Sequence, residues 1–173
     1  MRYVVAYGVP SFVGQVIASG YNRVTGREVP TNNFHISLIY PFFIHSTHSE
    51  EWVINQLNNF HFESIDSRLT RIDVFEQKNR LLYATVEPYE DYYASHLIVN
   101  RILRSGIQID IKPFESGVLP NYKPHVGIDY DFDGDQLTLQ SLRMEKIEAW
   151  FDSGYPRLYK FDNDLFTEIL LES

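Results

Sequence analysis

The sequence predicts an α+β fold, with an antiparallel sheet and helices packed outside it. Three observations lead there. Apolar residues alternate in some stretches and recur at helical spacing in others, in the order strand, helix, strand, helix, strands, helix, strands. No stretch rich in Gly, Ser or Pro divides the chain, and no repeat or low-complexity tract interrupts it. Finally, 173 residues with 44% hydrophobic content suffice for one full core or two tightly fused lobes. The expected unit is one domain spanning residues 1–173.

Residues 2–9 alternate as a strand and stop at Pro10. From Ser11 to Tyr21 the apolar positions Phe12, Val16 and Ile17 keep helical spacing. Residues 34–43 alternate in their first half and break at Pro41. Ser49, followed by Glu50, Glu51 and Trp52, has the make-up of a helix start: a capping hydroxyl, then acids in the first turn. That helix should reach Asn58. Strands are expected at 60–65, 69–76 and 81–87, the last ending at Pro88. Tyr92, Tyr93, Leu97, Ile98 and Ile102 form a helical stripe over Tyr89 to Leu103, closed by Ser105-Gly106. A strand near 107–113, a polar loop, a strand at 125–130 and a helical turn from Asp133 to Leu142 follow. Residues 144–151 and 157–171 read as further strands.

Composition excludes several functions. The chain has no cysteine, so disulfides, thiolate zinc sites and cysteine nucleophiles are out. A net charge of −8 without a Lys/Arg cluster argues against a long nucleic-acid duplex, which needs a basic stripe. A small anion needs only a few local donors. The N-terminus lacks the apolar stretch of a secretory signal, and no run is long enough to span a bilayer, so a soluble, intracellular protein without membrane contact is expected.

One pattern recurs, once in each half: Phe34-His35-Ile36-Ser37-Leu38 and Pro124-His125-Val126-Gly127-Ile128. In a strand, residues i and i+2 share a face. His35 and Ser37 therefore project together, opposite Ile36 and Leu38; His125 and Gly127 do the same, opposite Val126 and Ile128. A strand histidine beside apolar residues is more often a packed or surface residue than a catalyst. Two copies of one pattern argue for more. Phosphodiester cleavage needs a base for the attacking oxygen and an acid for the leaving one, and imidazole suits both near neutral pH. A hydroxyl such as Ser37 can hold a non-bridging oxygen.

FHISLIYPF resembles the first signature of the two-histidine (2H) phosphoesterase superfamily, which includes the 2′-5′ RNA ligase-like proteins: His, any residue, Ser or Thr, then an apolar residue. YKPHVGI resembles the second, and the spacing between them suits that family, as does LLYATVEP followed by a helix. The resemblance covers about residues 2–151. It implies a two-lobed, pseudo-twofold fold whose antiparallel sheets line a central cleft with one His from each lobe. It also implies metal-independent cleavage of a small nucleotide, cyclic or 2′-5′-linked, with no cofactor. Family members of this kind suggest immune signalling nucleotides as substrates, RNA ends as an alternative, and the cytoplasm (a host's, for a viral protein) as the compartment. Gly127 departs from the pattern, because the family usually has Thr or Ser there. Losing one such donor costs on the order of a hundredfold, which keeps a non-enzymatic nucleotide-sequestering protein as the rival reading.

Around the motifs, Tyr40, Tyr122 and Lys123 are candidates to stack on a base or touch phosphate, and Arg157 is a candidate phosphate contact. Asp129, Asp131, Asp133, Gly134 and Asp135 imitate the opening of a calcium loop, but Gln140 stands where its bidentate acid belongs, so a solvated acidic turn is the better reading. His45 and His48 lie in a polar loop without ligand partners at helical spacing, and no metal site is expected.

Overall fold

The computed structural model describes residues 1–31, 34–76, 80–110, 121–162 and 165–169. Strand β1 (Arg2–Gly8) is buried on both sides from Tyr3 to Tyr7. Tyr3, Val5 and Tyr7 enter the main core, while Val4 and Ala6 pack on the opposite face with Tyr159. Helix α1 (Ser11–Thr25) buries Val13, Ile17 and Tyr21 and runs four residues past the expected Tyr21. It stops at Gly26, whose left-handed backbone (φ 69°) lets its N–H reach the Asn22 carbonyl at 2.8 Å. Short strands β2 (His35–Ser37) and β3 (Phe42–Ile44) follow. Helix α2 (Glu50–Asn58) begins as its sequence predicts, with Ser49 Oγ accepting from the Trp52 N–H at 3.2 Å.

Strand β4 (Asp66–Phe75) starts three residues before its expected place. The expected strand at 60–65 is irregular instead. Its apolar signal comes from Phe62 and Ile65, which plug the core, and the backbone of Ile65 is held by Ser153. Strand β5 (Leu81–Glu87) and helix α3 (Tyr89–Leu103) stand where expected, followed by β6 (Ile107–Ile109) and β7 (His125–Asp129). The end of the predicted 107–113 strand, residues 111–113, lies outside the described residues. Helix α4 (Gln136–Met144) is capped by Asp135, which displaces the strand expected at 144–151 to β8 (Ala149–Asp152). The run 157–171 is two strands rather than one: β9 (Pro156–Asp162) pairs antiparallel with β10 (Leu165–Ile169).

All strand pairs among the described residues are antiparallel, along the order β10-β9-β1-β2-β7-β5-β4-β8, with β3 and β6 off this path. The centre of that order is a pseudo-twofold. On one side stands β1-α1-β2, on the other β5-α3-β7, and β2 meets β7 at the pair Ile36–Val126. The buried residues of all four helices join one cluster with Ile36, Leu38, Val126 and Ile128, while His35, Ser37, His125 and Gly127 on the other face are each half-buried. The sheet also curls. Asp152 pairs with β4 and Pro156 with β1, so its two flanks come within about 14 Å through a four-residue span. No helix among the described residues is long and apolar enough to cross a membrane.

Ile36 has no exposed surface and lies at the junction of the two halves. Ile36→Ala should therefore lower unfolding free energy by about 2–5 kcal/mol, read by urea denaturation. A loss below about 0.5 kcal/mol would show that this junction carries little of the core.

Candidate active site

The register at the centre of the sheet decides what meets what. With Ile36 opposite Val126 in an antiparallel pair, His35 stands opposite Gly127 and Ser37 opposite His125. The two histidines are thus diagonal neighbours on one face, about 7–8 Å apart at the backbone. A phosphate flanked by two hydrogen bonds of about 3 Å fills such a gap. The outer strands extend the row: Gly8 and Ala6 of β1 pair with His35 and Ser37, and Thr85 and Tyr83 of β5 pair with His125 and Gly127.

His125 is half-buried, with its ring packed edge-on against Phe75 and Tyr83, centroids 5.1 and 5.4 Å away. Its Nδ1 lies 2.7 Å from the Lys123 carbonyl. A carbonyl only accepts, so Nδ1 carries the proton and Nε2 keeps its lone pair. Burial pushes the His125 pKa down to about 4; the Lys123 carbonyl opposes this, and the charges of His35 and Lys123 add to it. His35 is half-buried, and its ring lies 6.4 Å from that of Tyr159.

On the His35 side a cavity of about 470 Å³ opens, lined by Gly8, Pro10, Phe34, His35, Arg157, Tyr159 and Glu168 and by the turn 152–154. Its volume suits a small ligand. Arg157 reaches this cavity, paired through Nη1 with both Glu168 carboxylate oxygens at 2.7 and 2.8 Å. An anion entering here competes with that carboxylate. Lys123 lies on the other side, its Nζ donating to the Tyr83 hydroxyl at 2.5 Å and lying 4.8 Å from the Tyr83 ring centroid.

His35, Ser37, His125 and Gly127 therefore come together, with Lys123 and Arg157 flanking them. Tyr122 does not join them. Its ring stacks on His96 at 4.1 Å, its hydroxyl is buried without a hydrogen-bond partner among the described residues, and burial pushes its pKa up. Tyr40 is half-buried, raised to about 12 by burial, and close enough to Tyr122 for their charges to interact. Tyr122 belongs to an aromatic packing group with Tyr93 and His96 of α3. The walls that sequence reading missed are Phe75 and Tyr83. Their alternation within β4 and β5 was visible, but which strand lies beside β7 was not. The acids at and beyond the end of β7 hold separate posts: Asp129 accepts from Tyr21 at 2.8 Å, Asp133 pairs with Arg27, and Asp135 caps α4.

No protein-family model matches this sequence, and no curated protein matches it in sequence. Solved structures do match in fold. E. coli LigT complexed with 3′-AMP superposes with a TM-score of 0.65 at 15% identity, over 98% of this chain and 94% of that one. TT0787 of Thermus thermophilus gives 0.61 at 15% identity over 99% and 96%, and a crystallised phosphoesterase gives 0.59 at 18% over 98% and 95%. LigT has also been crystallised with NADP+, ATP and phosphate. The chain shares the fold of E. coli LigT and of these other structures over nearly its whole length.

Titration by NMR checks the site's electrostatics. The His125 ring should stay neutral down to about pH 4, whereas an inflection near 6.5 would contradict its packing. The sign for stability follows. The unfolded imidazole gains its proton near pH 6.5, so this site's contribution is complete above that and declines as pH falls toward 4.

Proposed function

We propose that this protein is a metal-independent phosphodiesterase acting on a small nucleotide, cyclic or 2′-5′-linked, with His125 as base and His35 as acid. The observation that carries the reading is the antiparallel register at Ile36–Val126, which puts both imidazoles and the Ser37 hydroxyl on one face. LigT, whose fold this chain shares, has been crystallised with small nucleotides, which supports a ligand of that class here.

His125 is the better base. Its Nδ1 proton is held by the Lys123 carbonyl and its lowered pKa keeps Nε2 unprotonated at neutral pH. Nε2 takes the proton of the attacking hydroxyl, from a neighbouring ribose or from water in the case of a cyclic substrate. The new O–P bond forms as the opposite O–P bond breaks. His35, entering as the imidazolium, gives its proton to the departing oxygen. Each turnover thus moves one proton from His35 to His125, and solvent exchange resets the pair. Ser37, opposite His125, donates to a non-bridging oxygen. A phosphate between the rings also offsets the positive charges that depress His125, so bound substrate favours the protonated form that the reaction produces.

A second reading rests on Gly127, which contributes no hydroxyl: the protein would hold a nucleotide without cleaving it. Incubation with a panel of cyclic and 2′-5′-linked oligonucleotides in EDTA separates the two. The enzyme reading expects turnover that falls at least about a thousandfold in His35→Ala and in His125→Ala. Tight binding without turnover supports sequestration instead. Activity lost in EDTA and restored by zinc would overturn the metal-free mechanism.

The kcat/KM profile gives an independent check of roles. Its acid limb reports the free enzyme's base and should lie well below pH 6.5, toward the His125 value of about 4. An acid limb at the ordinary histidine value would remove His125 from the base role.

A further inference from the structure

The twofold that exchanges His35 with His125 also exchanges Ser37 with Gly127. Ser37 presents a hydroxyl opposite His125, and the matching place opposite His35 has no side chain of its own. That place is nonetheless filled. A Cβ built on Gly127 would lie 2.5 Å from the Tyr130 hydroxyl oxygen and 2.8 Å from its Cζ. The tip of the Tyr130 phenol thus occupies the volume that a Ser or Thr at 127 would take.

Local backbone explains how a residue past the strand end reaches back. On β7, Gly127 pairs with Tyr83 and Asp129 with Leu82, so β7 spends one residue more than β5 at this point. Such a bulge bends the strand and re-aims the side chains after it. Asp129 then fixes the turn, accepting from the Asp131 N–H at 3.1 Å and from the Tyr21 hydroxyl at 2.8 Å. Core packing does not account for where the ring sits: Tyr130 is 62% exposed and joins neither apolar cluster. No hydrogen bond among the described residues uses its hydroxyl.

We propose that the Tyr130 hydroxyl is the second phosphate-oxygen donor of the site, standing opposite His35 in the place of the side chain that Gly127 lacks. A phenol is protonated at neutral pH, so it donates a hydrogen bond to a non-bridging oxygen and takes no part in proton transfer. With Ser37 it gives each imidazole a facing hydroxyl, one from each half. The proposal rests on the phosphodiesterase reading and removes the main objection to it, since Gly127 no longer leaves the site one donor short.

The test uses the full chain in EDTA, with adenosine 2′,3′-cyclic phosphate and 2′-5′-linked ApA as substrates. Tyr130→Phe keeps the ring and removes only the hydroxyl. It should lower kcat on the order of a hundredfold, with a much smaller change in KM and an unchanged melting temperature. Gly127→Ser combined with Tyr130→Ala moves the hydroxyl onto the strand and clears the space, and should recover at least about tenfold over Tyr130→Ala alone. Wild-type kcat in Tyr130→Phe, with turnover still abolished by His35→Ala, overturns the Tyr130 role and leaves the phosphodiesterase reading standing. If His35→Ala and His125→Ala both retain full turnover, that reading falls and the Tyr130 role with it. Should wild type bind 3′-AMP without turning over either substrate, calorimetry decides: weaker binding in Tyr130→Phe supports the contact and unchanged affinity overturns it. Neither binding nor turnover in wild type overturns both.

Discussion

Everything at the centre of this molecule depends on one antiparallel pairing, β2 against β7 at Ile36–Val126. Both strands are short, three and five residues, and each buries only its alternate positions. Because strand faces alternate residue by residue, a slip of one position would turn an imidazole into the core and an isoleucine or valine out of it. The apolar partners on the far face therefore do more than fill space. Ile36, Leu38, Val126 and Ile128, gripped by the helices behind them, set which residues stand on the other face.

Two halves of similar layout meet there, yet the site they make is not symmetric. His125 sits in a wall of Phe75 and Tyr83 with its Nδ1 proton fixed, while His35 opens toward a cavity that also holds Arg157. Burial lowers the His125 pKa, and acid and base roles require surroundings that differ between two like groups. The cavity's position agrees with this division. It lies beyond His35, the side from which a leaving group would depart in the proposed mechanism.

The parts legible in the sequence were those set by local pattern. Alternation around His35 and His125 revealed their shared face with Ser37 and Gly127, Ser49 marked a helix start, and the stripe from Tyr92 to Ile102 marked α3. The parts not legible depend on which strand neighbours which. Tyr83 became a wall of the site only through its pairing with Gly127, and Tyr130 reached it only through a bulge, which no local periodicity announces. Residues 60–65 misled for a related reason: Phe62 and Ile65 are buried like strand residues, but their backbone is held by Ser153 rather than by a ladder. Tyr122, stacked on His96 of α3, shows that proximity along the chain to a motif does not fix the face a ring occupies.

The most direct measurement is a crystal structure with 3′-AMP bound. Phosphate oxygens within about 2.6–3.2 Å of Nε2 on both His35 and His125 are expected. A phosphate held by Arg157 alone, with His125 out of reach, would mean that the two imidazoles do not serve one phosphorus atom.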